Sequence, residues 1–242
     1  MKNFVENVGN ILYIKIFQYY LTKRVAFGLK IVYNIFNEVI KMNKPEILND
    51  IKRRINDAEP QSVFVAADFA DIAENIKIAT SLGRLEDDKL IRRVLWGVYE
   101  KPEYSELLGE FVAPSPDKVA HALARNFGWT IVPCGDTALN LLGLSTQVPS
   151  TWLYVSDGTY REYTYDNVTI KFKRTTNKEI SKLSSKTALV IQAIRALGKD
   201  NVSDETIAKI RALTSAQEKA KMLAEAKYTT SWIYDVIKTI CV

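Results

Sequence analysis

The segment ENIKIATSLGRLEDDKLIRRVLWGVYEK, residues 74–101, carries the strongest fold signal in the chain. Its first half has apolar residues at the spacing of one helical face, namely Ile78, Leu82 and Leu85. This spacing predicts a helix that ends near Asp88. Residues 90–94 (LIRRV) and 97–99 (GVY) are rich in branched and aromatic side chains, which predicts two strands joined by a tight turn. The segment is therefore expected to fold as a helix followed by a short hairpin.

The residues before this segment predict three further elements. A helix-start signature at Asn43 and the stop at Pro60 bound a first helix. Residues 62–65 predict a short strand, and residues 67–73 predict a second helix. The order helix, strand, helix, helix, hairpin is that of a winged helix-turn-helix, in which the last helix enters the major groove of DNA. We therefore expect residues 42–104 to form a winged helix-turn-helix domain.

The face of the last helix opposite its apolar residues is polar and cationic, which suits contact with base edges. The groove-facing candidates are Lys77, Thr80, Ser81 and Arg84. Three cations in the hairpin or directly after it would bind phosphates, namely Arg92, Arg93 and Lys101. Residues 42–104 carry ten basic and twelve acidic side chains, so the cations must cluster on one surface for DNA binding. A solvated helix face and a protein-contact module remain alternative interpretations.

A second domain is expected over residues 105–242, after a connection that contains three prolines. Ser115 and Pro116 open a helix in it. Three strands are predicted to form an antiparallel meander, at residues 151–155, 160–165 and 168–173. Beyond Lys186 the apolar period is helical. The predicted fold class is α+β: a winged helix-turn-helix, a mixed α/β domain with the meander, and a C-terminal helical segment. The proline-containing connection predicts that the two halves act independently.

The last predicted strand alternates between apolar and polar side chains, which places its cations on one face. With neighbouring arginines they predict a basic sheet face. Its members, the candidates for partner contact, are Arg161, Lys171, Lys173 and Arg174. This face would be either a solvated surface or a contact for an acidic protein or RNA.

The composition excludes several kinds of site. The chain has 242 residues, a net charge of +5, one histidine and two cysteines, which cannot build a Cys/His zinc site. No phosphate-binding glycine loop is visible. We therefore expect neither a metal nor a cofactor and no enzymatic activity; a small enzyme around His121 with Asp136 is the weakest alternative. Cys134 and Cys241 are far apart in sequence, which is typical of a reducing compartment and predicts a cytoplasmic protein.

Residues 1–41 differ from the rest of the chain. They are rich in Ile, Phe, Tyr and Val and carry six basic and two acidic side chains. Charged residues interrupt every run that could cross a membrane, so a membrane span is not expected. Three interpretations remain: an extension that is dispensable for function, a packed additional helix, or a basic amphipathic helix at a membrane surface.

Three further stretches, taken together, resemble the AbiEi-type antitoxins of bacterial abortive-infection (type IV) toxin–antitoxin systems. They are LIRRVLWGVYEKP at residues 90–102, PSPDKVA at 114–120, and GDTALNLLGLSTQVP at 135–149. Each string alone is weak, and the combination is distinctive. The resemblance runs from about Met42 to the late helices and leaves residues 1–41 outside.

The resemblance implies a function in phage defence. Members of that family bind inverted repeats in their own promoter through a winged helix and repress their operon. Their C-terminal domain opposes, directly or indirectly, a nucleotidyltransferase-like toxin encoded beside them. The expected partners are therefore promoter DNA and such a toxin. A stand-alone winged-helix regulator without a toxin is the alternative. The family carries over no catalytic residues.

We predict that residues 42–242 suffice for function, because the composition changes at Met42 and the resemblance begins there. A chain that starts at Met42 should fold, bind the promoter and protect cells from the toxin. The measurements are solubility, a gel shift and cell survival. An insoluble short chain beside a soluble full chain would make the first segment a packed structural element instead.

Overall fold

The computed structural model describes residues 46–175, 180 and 182–242, and its first part is a three-stranded sheet packed against helices. The elements in chain order are helix α1 (residues 46–57), strand β1 (Val63–Val65), a 3-10 turn (Ala66–Phe69), helix α2 (Asn75–Asp87), and strands β2 (Arg92–Leu95) and β3 (Val98–Glu100). The strand order is β1-β3-β2, and both pairs are antiparallel. The helix and hairpin predicted within residues 74–101 are confirmed. The predictions made for residues 1–41 lie outside the described residues.

The prediction of an α-helix over residues 67–73 is wrong. The chain makes only a single 3-10 turn there. The Asp68 carboxylate accepts a hydrogen bond from the Val65 N–H at 2.9 Å and forms an ion pair with Arg125 at 2.7 Å. These two contacts stabilise the turn. Phe69 is fully buried at its end. Tertiary contacts therefore decide the conformation of this short segment.

Helix α2 is amphipathic and packs one face into the core below the sheet. Its buried apolar residues meet those of α1, β1 and the 3-10 turn in one cluster: Ile51, Ile55, Phe64, Phe69, Ile78, Leu82, Leu85, Ile91 and Tyr99. Burial of this face leaves the opposite face of α2 in solvent, beside the β2–β3 hairpin.

The proline-containing connection is more ordered than expected. It contains a two-stranded hairpin of β4 (Tyr104–Ser105) and β5 (Glu110–Phe111). The rings of Tyr104 and Phe111 meet edge to face with centroids 5.3 Å apart. Arg92 of β2 donates a hydrogen bond to the Val112 carbonyl at 3.2 Å, which fixes the exit of the hairpin on the first sheet.

The second sheet has four strands: β6 (Ile131–Pro133), β7 (Thr151–Ser156), β8 (Arg161–Tyr165) and β9 (Val168–Arg174). The predicted antiparallel meander is wrong, because the order is β6-β7-β9-β8 and β9 runs parallel to β7. Ile170 and Phe172 of β9 are fully buried, whereas Arg161 and Glu162 of β8 are exposed. The apolar strand therefore takes the interior position and the charged strand takes the edge.

The described residues of the second part also form the helices α3 (Pro116–Phe127), α4 (Asp136–Leu141), α5 (Ser185–Leu197), α6 (Asp204–Ala212), α7 (Ala216–Glu225) and α8 (Ser231–Cys241). Local capping sets several of their boundaries, and α3 begins at Pro116 as predicted. Gly128 ends α3 in the left-handed conformation with φ 67°, and Ser215 with Glu218 forms a complete capping box on α7. Helices α4, α5, α6, α7 and α8 bury a second apolar cluster that covers one side of the sheet.

Helix α3 lies between the two sheets and joins their cores. Its buried residues pack against Val63, Val65 and Val98 of the first sheet and against Tyr154 and Phe172 of the second. The two parts therefore share one apolar core, and the prediction that they act independently stays a prediction. The contact is close because three of the buried residues of α3 are alanines: Ala120, Ala122 and Ala124.

The described residues form a mixed α+β structure, as the sequence predicts. Among them, no helix combines the length and the apolar character needed to cross a bilayer.

We predict that Gly158→Ala destabilises the fold. A Cβ at this position would lie 2.2 Å from Cε2 of Trp129, so the ring or the backbone must move. Overpacking of this kind costs about 1–3 kcal/mol. Gly83→Ala is the matched control, because nothing lies within 4 Å of the added methyl and α2 gains about 1 kcal/mol of helix propensity. Chemical unfolding of both variants measures the difference. An unchanged unfolding midpoint for Gly158→Ala would contradict the packing described.

We predict that the Glu225 carboxylate stabilises the fold above about pH 4.5. Burial alone would raise its pKa, but hydrogen bonds from Ser184 and Thr187 at the start of α5 outweigh burial and lower the pKa below its ordinary value of 4.5. A lowered pKa gives stability that is complete above 4.5 and is lost as the pH falls through the folded-state pKa.

Glu225→Gln should therefore reduce the free energy of unfolding by about 1–2 kcal/mol near neutral pH, the size of a lost charged cap. The difference from wild type should shrink as the pH falls below about 4.5, measured by urea unfolding along a pH series. Glu106→Gln, in the exposed β4–β5 hairpin, is the control and should leave the pH profile unchanged. A constant difference at every pH would assign the loss to packing instead.

Candidate nucleic-acid interface

The outward face of α2 presents three of the four predicted groove-facing residues. Lys77, Thr80 and Arg84 are all exposed. The Thr80 hydroxyl donates to the Ile76 carbonyl at 2.8 Å, which orients its methyl group and leaves its oxygen able to accept a further hydrogen bond. Within the described part of the chain, neither Lys77 nor Arg84 has an ion-pair partner, so both charges are available to an anionic ligand.

Ser81 is the fourth predicted residue, and its prediction is wrong. Its residue surface is only 6% exposed, and its hydroxyl donates to the Lys77 carbonyl at 2.9 Å. Ser81 lies one turn after Lys77 but beside Leu82 and Leu85 on the packed side of α2, so it contributes to the core and not to the outer face.

Arg92 is committed to the fold. Its guanidinium forms an ion pair with Glu100, a fully buried carboxylate on the adjacent strand β3. Burial raises the pKa of Glu100, and the hydrogen bond and charge of Arg92 counteract that effect. The second oxygen of Glu100 is buried without a hydrogen-bond partner among the described residues. Loss of Arg92 would leave this carboxylate uncompensated, so the predicted phosphate contact is replaced by a structural role.

Arg93 and Lys101 are also engaged within the chain. Arg93 forms an ion pair with Glu86 of α2, which raises the pKa of the guanidinium. Its charge lies over the rings of Trp96 and Tyr99, at 5.1 and 5.3 Å from their centroids. Lys101 donates to the carbonyls of Asn56 and Ala58 at the end of α1, at 2.8 and 2.7 Å. The side chains of Arg92 and Arg93 are 41% and 35% exposed, but all three predicted phosphate contacts are engaged within the chain.

Two exposed apolar residues that were not among the predicted site residues also lie on this side of the molecule. Ile76 is 80% exposed in the first turn of α2, and Trp96 is 90% exposed at the tip of the β2–β3 hairpin. The signal was present in the sequence: Ile76 falls outside the helical spacing of Ile78, Leu82 and Leu85, and Trp96 occupies the turn between the two predicted strands.

The predicted basic sheet face is divided between two faces. Lys171 lies opposite Glu162 on β8 and forms an ion pair with it at 3.2 Å, and Lys173 follows on the same face. Arg161 lies opposite Phe172, so its side chain belongs to the other face. There its charge lies 5.0 Å from the centroid of the Phe127 ring.

Arg174, two positions after Phe172, shares the face of Arg161 and is exposed at the strand end. The four cations therefore do not form one surface, and the prediction of a single basic face is wrong. Alternation along β9 places Arg174 opposite to Lys173, and the pairing of Arg161 with Phe172 places Arg161 on the same face as Arg174.

His121 lies in an open cleft of about 430 Å³ between α1, β1 and α3. Its Nε2 is 3.8 Å from Oδ1 of Asp117, one helical turn earlier. The same carboxylate oxygen accepts a hydrogen bond from the buried Tyr154 hydroxyl at 2.9 Å, and burial next to this charge raises the pKa of the tyrosine. In the described structure the neighbours of His121 are thus Asp117 and Tyr154, and not Asp136 as the enzyme hypothesis required.

Among the described residues, no group of three or more His, Cys, Asp or Glu side chains is arranged to hold a metal ion.

The β4–β5 hairpin carries a second exposed apolar surface, and it is acidic. Four large side chains are more than half exposed: Tyr104, Leu107, Leu108 and Phe111. Residues 102–113 contain three glutamates and no basic residue. The negative charge of this surface would repel phosphates, whereas the cations on the outer face of α2 would attract them.

Residues 50–223 match a family of unknown function, DUF6088. The match extends from within α1 to within α7 and covers well over half of the 242 residues. No curated protein matches this chain. By the extent of the match, the chain belongs to the DUF6088 family.

Proposed function

We propose that this protein binds duplex DNA in a sequence-dependent manner, and that the part containing α1, α2 and the β2–β3 hairpin acts as a winged helix-turn-helix. In this arrangement α2 is the recognition helix and the hairpin is the wing. The main support for this proposal is the outer face of α2, where Lys77, Thr80 and Arg84 are exposed. The two cations have no ion-pair partner among the described residues.

The order of elements supports this proposal. A helix, a short strand, a turn, a helix and a hairpin follow one another, with β1 completing the sheet beside β3. Winged-helix modules also serve as protein contacts, so topology alone does not distinguish DNA from a protein partner. The exposed polar and cationic side chains favour DNA, because Arg can bond guanine and Lys can neutralise phosphate.

Few cations of the first part are available to bind phosphates. Arg92 and Lys101 are engaged in holding the fold, and Arg93 is paired with Glu86. Lys77 and Arg84 on α2 therefore carry most of the available charge. A small number of phosphate contacts predicts a modest dependence of binding on salt.

We further propose that this DNA binding belongs to an antitoxin that represses its own promoter and opposes a nucleotidyltransferase-like toxin. The AbiEi-type resemblance of residues 90–102, 114–120 and 135–149 supports this proposal. A stand-alone regulator without a toxin is the second candidate, and the exposed cations of α2 support it equally. A nucleotidyltransferase-like gene next to this one would favour the antitoxin.

The test compares variants of the outer face with a matched control. Arg84→Ala should weaken specific DNA binding by about 1–3 kcal/mol if the guanidinium bonds a base. Lys77→Ala should weaken binding to all sequences and lower the salt slope by about one. Lys173→Ala removes the same charge from an exposed site on β9 and should change neither quantity. Gel-shift titrations of the promoter fragment over a salt series supply both measurements.

Arg92 and Arg93 are left intact in this test, because their ion pairs with Glu100 and Glu86 would make a loss of binding ambiguous. Promoter binding at full strength by the Lys77→Ala, Arg84→Ala double variant would contradict the proposal. A normal unfolding curve for each variant shows that the fold is retained.

A further inference from the structure

Ile76 is the one large apolar side chain on the outer face of α2 in the described structure. The other large apolar residues of the helix, Ile78, Leu82 and Leu85, are at most 1% exposed, whereas Ile76 is 80% exposed. An isolated exposed isoleucine is common on protein surfaces. What distinguishes Ile76 is its place, in the first turn of the helix and next to Lys77, which has no ion-pair partner in the part of the chain that the structure describes.

The outer face of α2 has an uncharged centre and a cationic edge. At about 100° per residue, Ile76, Thr80 and Gly83 fall within about 60° of one another. Lys77 and Arg84 lie about 20° apart on one flank. The cations can therefore reach phosphates or bases at the side of a groove while the uncharged row faces its floor.

The side chains of the uncharged row project little from the helix at Gly83. Gly83 has no side chain, and nothing lies within 4 Å of the position that its Cβ would occupy, so a base edge can come close to the helix there. Asp87 lies on the same side of α2 after Gly83 and is exposed, so the uncharged row ends at Gly83. A carboxylate at that end would repel phosphates, which confines close contact to the first turns of α2, where recognition helices contact bases.

We infer that Ile76 contacts the C5-methyl group of a thymine and thereby makes this base a requirement of the binding site. In the major groove the thymine methyl is the apolar group that a base pair presents, and aliphatic side chains are its partners. The inference rests on the proposed function and adds the chemistry by which α2 discriminates a base.

The test removes single methyl groups from DNA. The full chain selects its preferred site from a pool of random duplexes, the selected duplex is resynthesised, and each thymine in turn is replaced by deoxyuridine. For wild type, at least one replacement should weaken binding about fourfold, the change that corresponds to one buried methyl group. Ile76→Ala should bind the thymine duplex less tightly and should be indifferent to that same replacement.

Lys77→Ala is the control for this cycle, since it should weaken binding but keep the fourfold penalty at the same thymine. Ile76→Ala is expected to fold normally because the side chain packs against little, and a thermal unfolding curve verifies this. Equal sensitivity of wild type and Ile76→Ala at every thymine overturns the inference and leaves DNA binding intact. If no duplex is enriched at all, both the proposed function and this inference are overturned.

Discussion

The packing of helix α3 between the two sheets is the constraint on which the rest of the described structure depends. One side of α3 contacts Val63, Val65 and Val98, and the other contacts the aromatic residues of β7 and β9. Arg125 reinforces this junction, since it holds the Asp68 carboxylate and donates to the Val63 carbonyl at 2.9 Å. The orientation of the first sheet relative to the second follows from these contacts. A ligand bound at α2 therefore meets a surface that is supported by the second sheet.

Charged residues of the first part serve the fold more than their sequence pattern suggests. Arg92 balances a buried glutamate, Lys101 closes the end of α1, and Arg54 pairs with Asp71 and donates to the Asp68 carbonyl. Each cation is used where a buried carboxylate or a helix end would otherwise lack a partner. Among the described residues, the cations that remain without an ion-pair partner include Lys77 and Arg84 on the outer face of α2.

The two candidate surfaces differ in chemistry. The outer face of α2 combines cations with a small uncharged centre, while the β4–β5 hairpin combines apolar side chains with glutamates. This difference in charge means that the two surfaces suit ligands of different chemistry. The four cations predicted as one basic sheet face are, in contrast, distributed over both faces of the second sheet.

The sequence by itself determined the helices with caps and the face of α2 that is buried. Gly128, Ser203 and Ser215 mark helix boundaries because capping satisfies backbone groups locally. Only the tertiary structure decided the strand order of the second sheet, the 3-10 turn at Ala66–Phe69, and the partners of Arg92 and Lys101. Caps and helical periodicity are local interactions that a sequence displays. Strand pairing and ion pairs join residues distant in the chain, and their choice depends on which surfaces the packed core brings together.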